Sequence, residues 1–128
     1  MKKVLILLIC LIGYRIGCHA QMADEHYYFK NLSVQNGLSQ NTVNAILQDR
    51  QGFMWFGTKD GLNRYDGLSF RKFKHDDRSQ RSIGNNFITA LYEDEKGSIW
   101  VGTDVGLYIY YPEKDSFEHF TKQSVENT

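Results

Sequence analysis

Two stretches of this 128-residue chain spell the same pattern at a fixed distance. Met54-Trp55-Phe56-Gly57-Thr58, with Gly61-Leu62 following, returns 45 residues later as Ile99-Trp100-Val101-Gly102-Thr103, with Gly106-Leu107 following. The same offset aligns Leu38 with Ile83, Asn41 with Asn86, Val43 with Ile88, Ala45 with Ala90, Asp49 with Asp94 and Gly52 with Gly97. The repeated unit is made of short apolar runs separated by turn residues, with no 3.6-residue periodicity. Such a unit cannot bury both of its faces alone, so each copy must pack against its neighbour.

Each copy reads as four short strands. In the first copy these are Val43 to Gln48, Phe53 to Gly57, Leu62 to Tyr65 and Ser69 to Lys74. Asp49 to Gly52 and Lys59 to Gly61 read as turns, because Asp bonds its own backbone and Gly accepts positive φ. Asp66-Gly67 reads as a two-residue hairpin. The second copy predicts strands over Ile88 to Tyr92, Ile99 to Gly102, Leu107 to Tyr110 and Phe117 to Thr121. Phe117 and Phe120 match Phe70 and Phe73 at an offset of 47, so the last hairpin is two residues longer. Four short strands in a repeat of this length indicate a β-propeller blade. The fold class is therefore all-β: a partial propeller of about two four-stranded blades. The expected layout is a leader over 1–20, a strand over 27–33, a first blade over 38–74, an inter-blade loop over 75–82, a second blade over 83–121 and a truncated end over 122–128. The 27–33 strand repeats the Phe-x-x-apolar spacing as Phe29…Leu32, and reads as a closing strand for a last blade outside this chain.

The leader combines Met1-Lys2-Lys3 with an apolar run from Val4 to Ile12, too short to span a bilayer. Small residues at Cys18 and Ala20 predict cleavage between Ala20 and Gln21. Two other outcomes compete: lipidation at Cys18, against which Arg15 stands, and an uncleaved N-terminal anchor. Both cysteines of the chain, Cys10 and Cys18, fall in this leader, which leaves residues 21–128 without a disulfide or thiolate metal site. Losing Lys2, Lys3 and Arg15 from 15 basic residues, against 15 acidic ones, makes the exported part mildly acidic. No basic patch suggests nucleic acid.

The repeating residues suit a scaffold. Trp55 and Trp100 are large enough to fill the gap between neighbouring sheets. Gly57 and Gly102 leave room where sheets crowd, and Thr58 and Thr103 can tie a strand end to the backbone. Gly61 and Gly106 are assigned to conformations that a Cβ would penalise. Residues present in one copy only, such as Arg64, His75, Asp76 and Arg78, are expected on turns or loops within reach of a ligand.

The string Gly37-Leu38-Ser39-Gln40-Asn41-Thr42-Val43, then Asp49…Gly52…Trp55-Phe56-Gly57-Thr58…Gly61-Leu62-Asn63-Arg64-Tyr65-Asp66-Gly67, resembles the two-component regulator propeller repeat. More narrowly, it is similar to the N-terminus of the periplasmic sensor region in hybrid two-component histidine kinases. The resemblance covers nearly all of 27–121. The second copy departs at Val105, where the first has Asp60, and at Tyr111-Pro112, where the first has Asp66-Gly67. The resemblance implies two seven-bladed propellers, an immunoglobulin-like domain, a membrane helix, a kinase, a receiver and a helix-turn-helix output in the complete protein, which senses breakdown products of polysaccharides. On that basis the chain is an N-terminal, periplasmic, non-catalytic sensor segment. Its implied partners are the remaining blades, an oligosaccharide ligand and a second receptor in a homodimer.

No constellation for chemistry stands out. His19, His26, His75 and His119 share no metal-ligand spacing, and His119 on an outer strand reads as solvent-facing rather than as a phospho-acceptor. Glu93-Asp94-Glu95 reads as a solvated hairpin and lacks the alternation of a calcium loop. There is no nucleophile elbow, P-loop or dinucleotide motif, so no cofactor, metal or catalytic residue is assigned. The alternatives are a secreted or lipid-anchored binding scaffold and a fragment of a propeller enzyme such as a lyase. Taken alone, the two blades are expected to be poorly folded or to self-associate, because open blade faces expose apolar surface and strand edges.

Overall fold

The computed structural model describes residues 2–3 and 26–121. It divides into two units, residues 1–30 and 31–128. In the first, Lys2 and Lys3 are helical and residues 26–30 have no regular structure. The leader with its Ala20–Gln21 junction, and the end at 122–128, lie outside the described residues. No helix among those described is long and apolar enough to cross a membrane.

The second unit holds eight strands: β1 (Val43–Gln48), β2 (Met54–Thr58), β3 (Gly61–Tyr65), β4 (Phe70–Phe73), β5 (Ile88–Glu93), β6 (Ile99–Thr103), β7 (Leu107–Tyr111) and β8 (Ser116–His119). They form two antiparallel meanders, β1-β2-β3-β4 and β5-β6-β7-β8. Every strand expected from the repeat is present, with ends shifted by a residue or two. The two sheets share a register: Leu47 faces Trp55 across β1 and β2, and Tyr92 faces Trp100 across β5 and β6. Even the irregularity recurs, between Val43 and Ala45 in one sheet and between Ile88 and Ala90 in the other.

The closing strand expected over 27–33 would complete a blade outside this chain, and it has no partner strand among the described residues. Residues 26–32 carry no regular structure, and Ser33 instead caps a 3-10 turn, Val34–Asn36. A strand exists through its ladder, and each sheet here contains only its own four strands among the described residues. The Asp66-Gly67 hairpin also differs from expectation. Tyr65 pairs with Phe70, so the loop has four residues, and the Asp66 carboxylate accepts from the Leu68 and Ser69 amides at 2.8 and 2.7 Å. That bonding outcompetes the tight two-residue turn. In the second sheet, Tyr110 pairs with Phe117, and the two extra residues add the rung Tyr111–Ser116.

The core lies between the sheets. Trp55, Leu62 and Phe73 of the first meet Ile88, Ile99, Val101, Tyr110 and Phe117 of the second, with Ile83 from the linking loop. Burying each such side chain contributes about 1.5–3 kcal/mol. The alternation along β1, half-buried at Val43, Ala45 and Leu47 and exposed between them, presents one face inward. Gly57 explains how closely the sheets approach: a Cβ there would lie 2.5 Å from Ile88 Cγ2 of the neighbouring sheet. Gly61 N donates to Asn86 O at 2.7 Å and Asn44 Nδ2 to Ile88 O at 2.9 Å, tying backbone across the same seam.

Candidate ligand site at the seam between the sheets

The Trp motif is held by an aspartate that the repeat carries six residues earlier. Asp49 Oδ1 accepts from the Gln51 and Phe53 amides at 3.0 and 2.9 Å, shaping the turn, while Oδ2 accepts from Trp55 Nε1 at 2.7 Å. Asp94 does the same with Lys96, Ser98 and Trp100, at 2.9 Å each. Burial would raise the Asp94 pKa, but the Trp100 indole and the two amides overcome it and lower it below the usual carboxylate range. One side chain thus builds the hairpin and fixes the indole, which the aligned Asp49…Gly52…Trp55 spacing signalled only as a turn.

Thr58 and Thr103 behave as expected at strand ends, donating to Gly61 O at 2.9 Å and to Gly106 O at 2.8 Å. The two glycines differ. Gly61 sits at φ +121°, but Gly106 has no positive φ, and a Cβ there would lie 2.8 Å from His119 Nε2. His119 is exposed and stacks on Tyr108 at 4.8 Å. Leu62 is fully buried and Leu107 half-buried.

The Glu93-Asp94-Glu95 hairpin is not a solvated cluster. Glu93 pairs with Arg50 at 3.0 Å, its side chain only 12% exposed, and Asp94 is engaged by Trp100. Arg50 also donates through Nη1 to Glu95 O at 2.7 Å and through Nη2 to Asp94 O at 2.5 Å, so one guanidinium laces the two sheets together. At the outer rim of the seam, Arg71 Nη2 donates to both oxygens of Asp115 at 2.7 Å, and Tyr110 donates to the same carboxylate at 2.9 Å. The Arg71 contact, then Tyr110, holds the Asp115 pKa down; burial, then Asp115, pushes Tyr110 up to about 12.

Arg64 stands apart from His75, Asp76 and Arg78, which cluster in one loop. Arg64 is not on a loop but in β3, where it lines a cavity of about 460 Å³ with Arg50, Glu93, Lys96 and Glu113. Asp76 borders a separate, shallower depression of about 380 Å³ beside Arg81 and Asp115. Around it, His75 Nδ1 meets Ile83 O at 2.9 Å and Nε2 meets Asp77 Oδ1 at 2.7 Å, and Arg78 bonds Asp76. The Ile83 carbonyl, then Asp77, raises the His75 pKa, because acceptors at both nitrogens favour imidazolium. Among the described residues, no three His, Cys, Asp or Glu side chains converge as metal ligands.

The family model of the two-component regulator propeller matches residues 37–60 and 82–105, the span from the loop before each inner strand through the Trp motif. Two segments of the chain, one in each sheet's first half, thus match the two-component regulator propeller repeat. Among solved structures it is similar to the extracellular domain of a protein described as a hybrid two-component system of B. thetaiotaomicron, at 37% identity and TM-score 0.67, over 75% of this chain and 14% of that one. A second extracellular domain from that organism, described as belonging to a one-component system, shares the fold at 23% identity and TM-score 0.60, over 74% of this chain and 14% of that one. Over 60 residues the chain is 38% identical to a histidine kinase of Formosa agariphila, covering 47% of this chain and 4% of the kinase. The chain therefore spans a small part of the length of the relatives it matches.

Proposed function

We propose that the chain supplies two consecutive blades of the extracytoplasmic sensor propeller in a two-component signalling protein, exported to the periplasm and detecting oligosaccharides. It carries no catalysis itself; phosphotransfer belongs to other domains of the complete receptor. Further blades are the partner of the half-covered Trp100 face, and a homodimer is the receptor's assembly. The observation that supports this reading best is the seam, where Trp55, Leu62 and Phe73 are sealed by the second sheet while Trp100, Leu107 and Phe120 repeat them without a cover among the described residues. Propeller blades use such a face to seat the next blade.

An antibody against residues 83–121, applied to membrane and periplasmic fractions of the native cells, tests this. The expected product is membrane-bound and far larger than 14.9 kDa, and polysaccharide digests added to the cells raise its phosphorylation. A soluble 14.9 kDa product as the sole species would contradict the reading.

A further inference from the structure

Arg64 stands apart from the other charged groups of the seam. Its guanidinium carbon lies 4.5 Å from the Phe53 ring centre and 5.8 Å from that of Trp55, a stacked and pre-oriented cation. It forms no ion pair with a described residue, although Asp115 and Tyr110 feel its charge from further away. Arg71, directly across the ladder, holds Asp115; Arg50 holds Glu93; and Asp49 is occupied by Trp55, Gln51 and Phe53. The second sheet places Ile109 at the equivalent position opposite Trp100, so blade construction does not call for a cation there. The Arg64 cavity, of about 460 Å³, also presents Lys96 and Glu113, neither of them in an ion pair with a described residue. Small-molecule sites run from roughly 300 to 1,000 Å³.

We infer that this cavity binds an organic carboxylate carrying hydroxyl groups, of the sugar-acid type. The planar fork of Arg64 matches a carboxylate bidentately. The lining bears three acids, Asp49, Glu93 and Glu113, against Arg50, Arg64 and Lys96, a balance that accommodates one added negative charge better than a dianion. Gln51 and Glu113 at the rim offer acceptors to ligand hydroxyls. The inference rests on the sensor reading and narrows its ligand class.

Equilibrium dialysis of the full chain against D-glucuronate, D-glucose and glucose 6-phosphate tests it. Glucuronate is retained, glucose is not, and glucose 6-phosphate is held more weakly. Arg64→Ile, which installs the residue of the second repeat, weakens glucuronate by about tenfold or more with the thermal midpoint unchanged, since a charged hydrogen-bond pair is worth that much. Arg64→Lys, which keeps the charge and loses the fork, falls between the two. Absence of glucuronate retention, equal retention of glucose, tighter retention of the phosphate, or affinity unchanged in Arg64→Ile each overturns the site. A neutral oligosaccharide bound equally by the wild type and Arg64→Ile would sink the carboxylate site and leave the sensor reading standing.

Discussion

The two sheets carry the same residues at equivalent positions and meet different fates. Trp55, Gly57, Thr58, Leu62 and Phe73 are all buried; Trp100, Gly102, Thr103, Leu107 and Phe120 are all half-covered. Both indoles bond an aspartate and pack on a phenylalanine of their own repeat, Trp55 stacked on Phe73 at 5.7 Å and Trp100 tilted against Phe120 at 5.1 Å. What Trp55 has in addition is Tyr110 of the next sheet at 5.5 Å. The motif therefore organises a blade locally, and its hydrophobic gain is realised only when a following blade covers it.

Substitutions at equivalent positions should separate the two contributions. Trp55→Ala should cost about 3–5 kcal/mol, as deletion of a sealed aromatic does, read from the midpoint of urea unfolding. Trp100→Ala in the same chain should cost roughly 1–2 kcal/mol, because part of its surface is already wet; equal losses would break the comparison. Gly57→Ala comes next, at about 1–3 kcal/mol, since the new methyl collides with Ile88 across the seam. Gly102→Ala meets only Thr89 and Ala90 of its own sheet and should stay near 0.5 kcal/mol, roughly the size of an ordinary surface change. Glu93→Ala removes the partner of Arg50 at the seam and should cost about 1 kcal/mol, shrinking as salt is added.

The pH dependence is smaller and has two signs. Arg71 lowers the folded-state pKa of Asp115, so its contribution is complete above the unfolded value near 3.9 and is lost as pH falls through the lowered one. His75 is raised, so its contribution is complete below about 6.5 and is lost as pH rises through the folded value. Unfolding midpoints against pH should show Asp115→Asn flattening the acid limb and His75→Gln flattening the limb above neutrality. A histidine variant that altered only the acid limb would contradict the loop geometry.

The eight strands and their pairing were legible in the sequence because each rests on a local signal that the repeat writes twice. The seam was legible as far as Trp55 and Gly57. What escaped were features set by the partner across the seam. Glu93 looks like part of an acidic hairpin until Arg50, 43 residues earlier, is seen bonding it. Gly106 looks like a twin of Gly61, yet it has no positive φ and its nearest neighbour is the ring tip of the exposed His119. Ser39 and Asn63, bonded at 2.8 Å, become Gly84 and Tyr108 in the second sheet, a paired exchange in which the smaller glycine admits the larger ring. Reading positions 39 and 63 together against their repeats was the signal available for that contact.

Hydrogen exchange of the two indole N–H groups in the unmodified chain tests the central claim most directly, because both donate to an aspartate and differ only in what covers them. Followed by NMR at low protein concentration, the Trp55 proton should exchange at least about 100-fold more slowly than that of Trp100, since it opens only when the sheets part. Equal protection of the two protons would show that the second sheet does not seal the first.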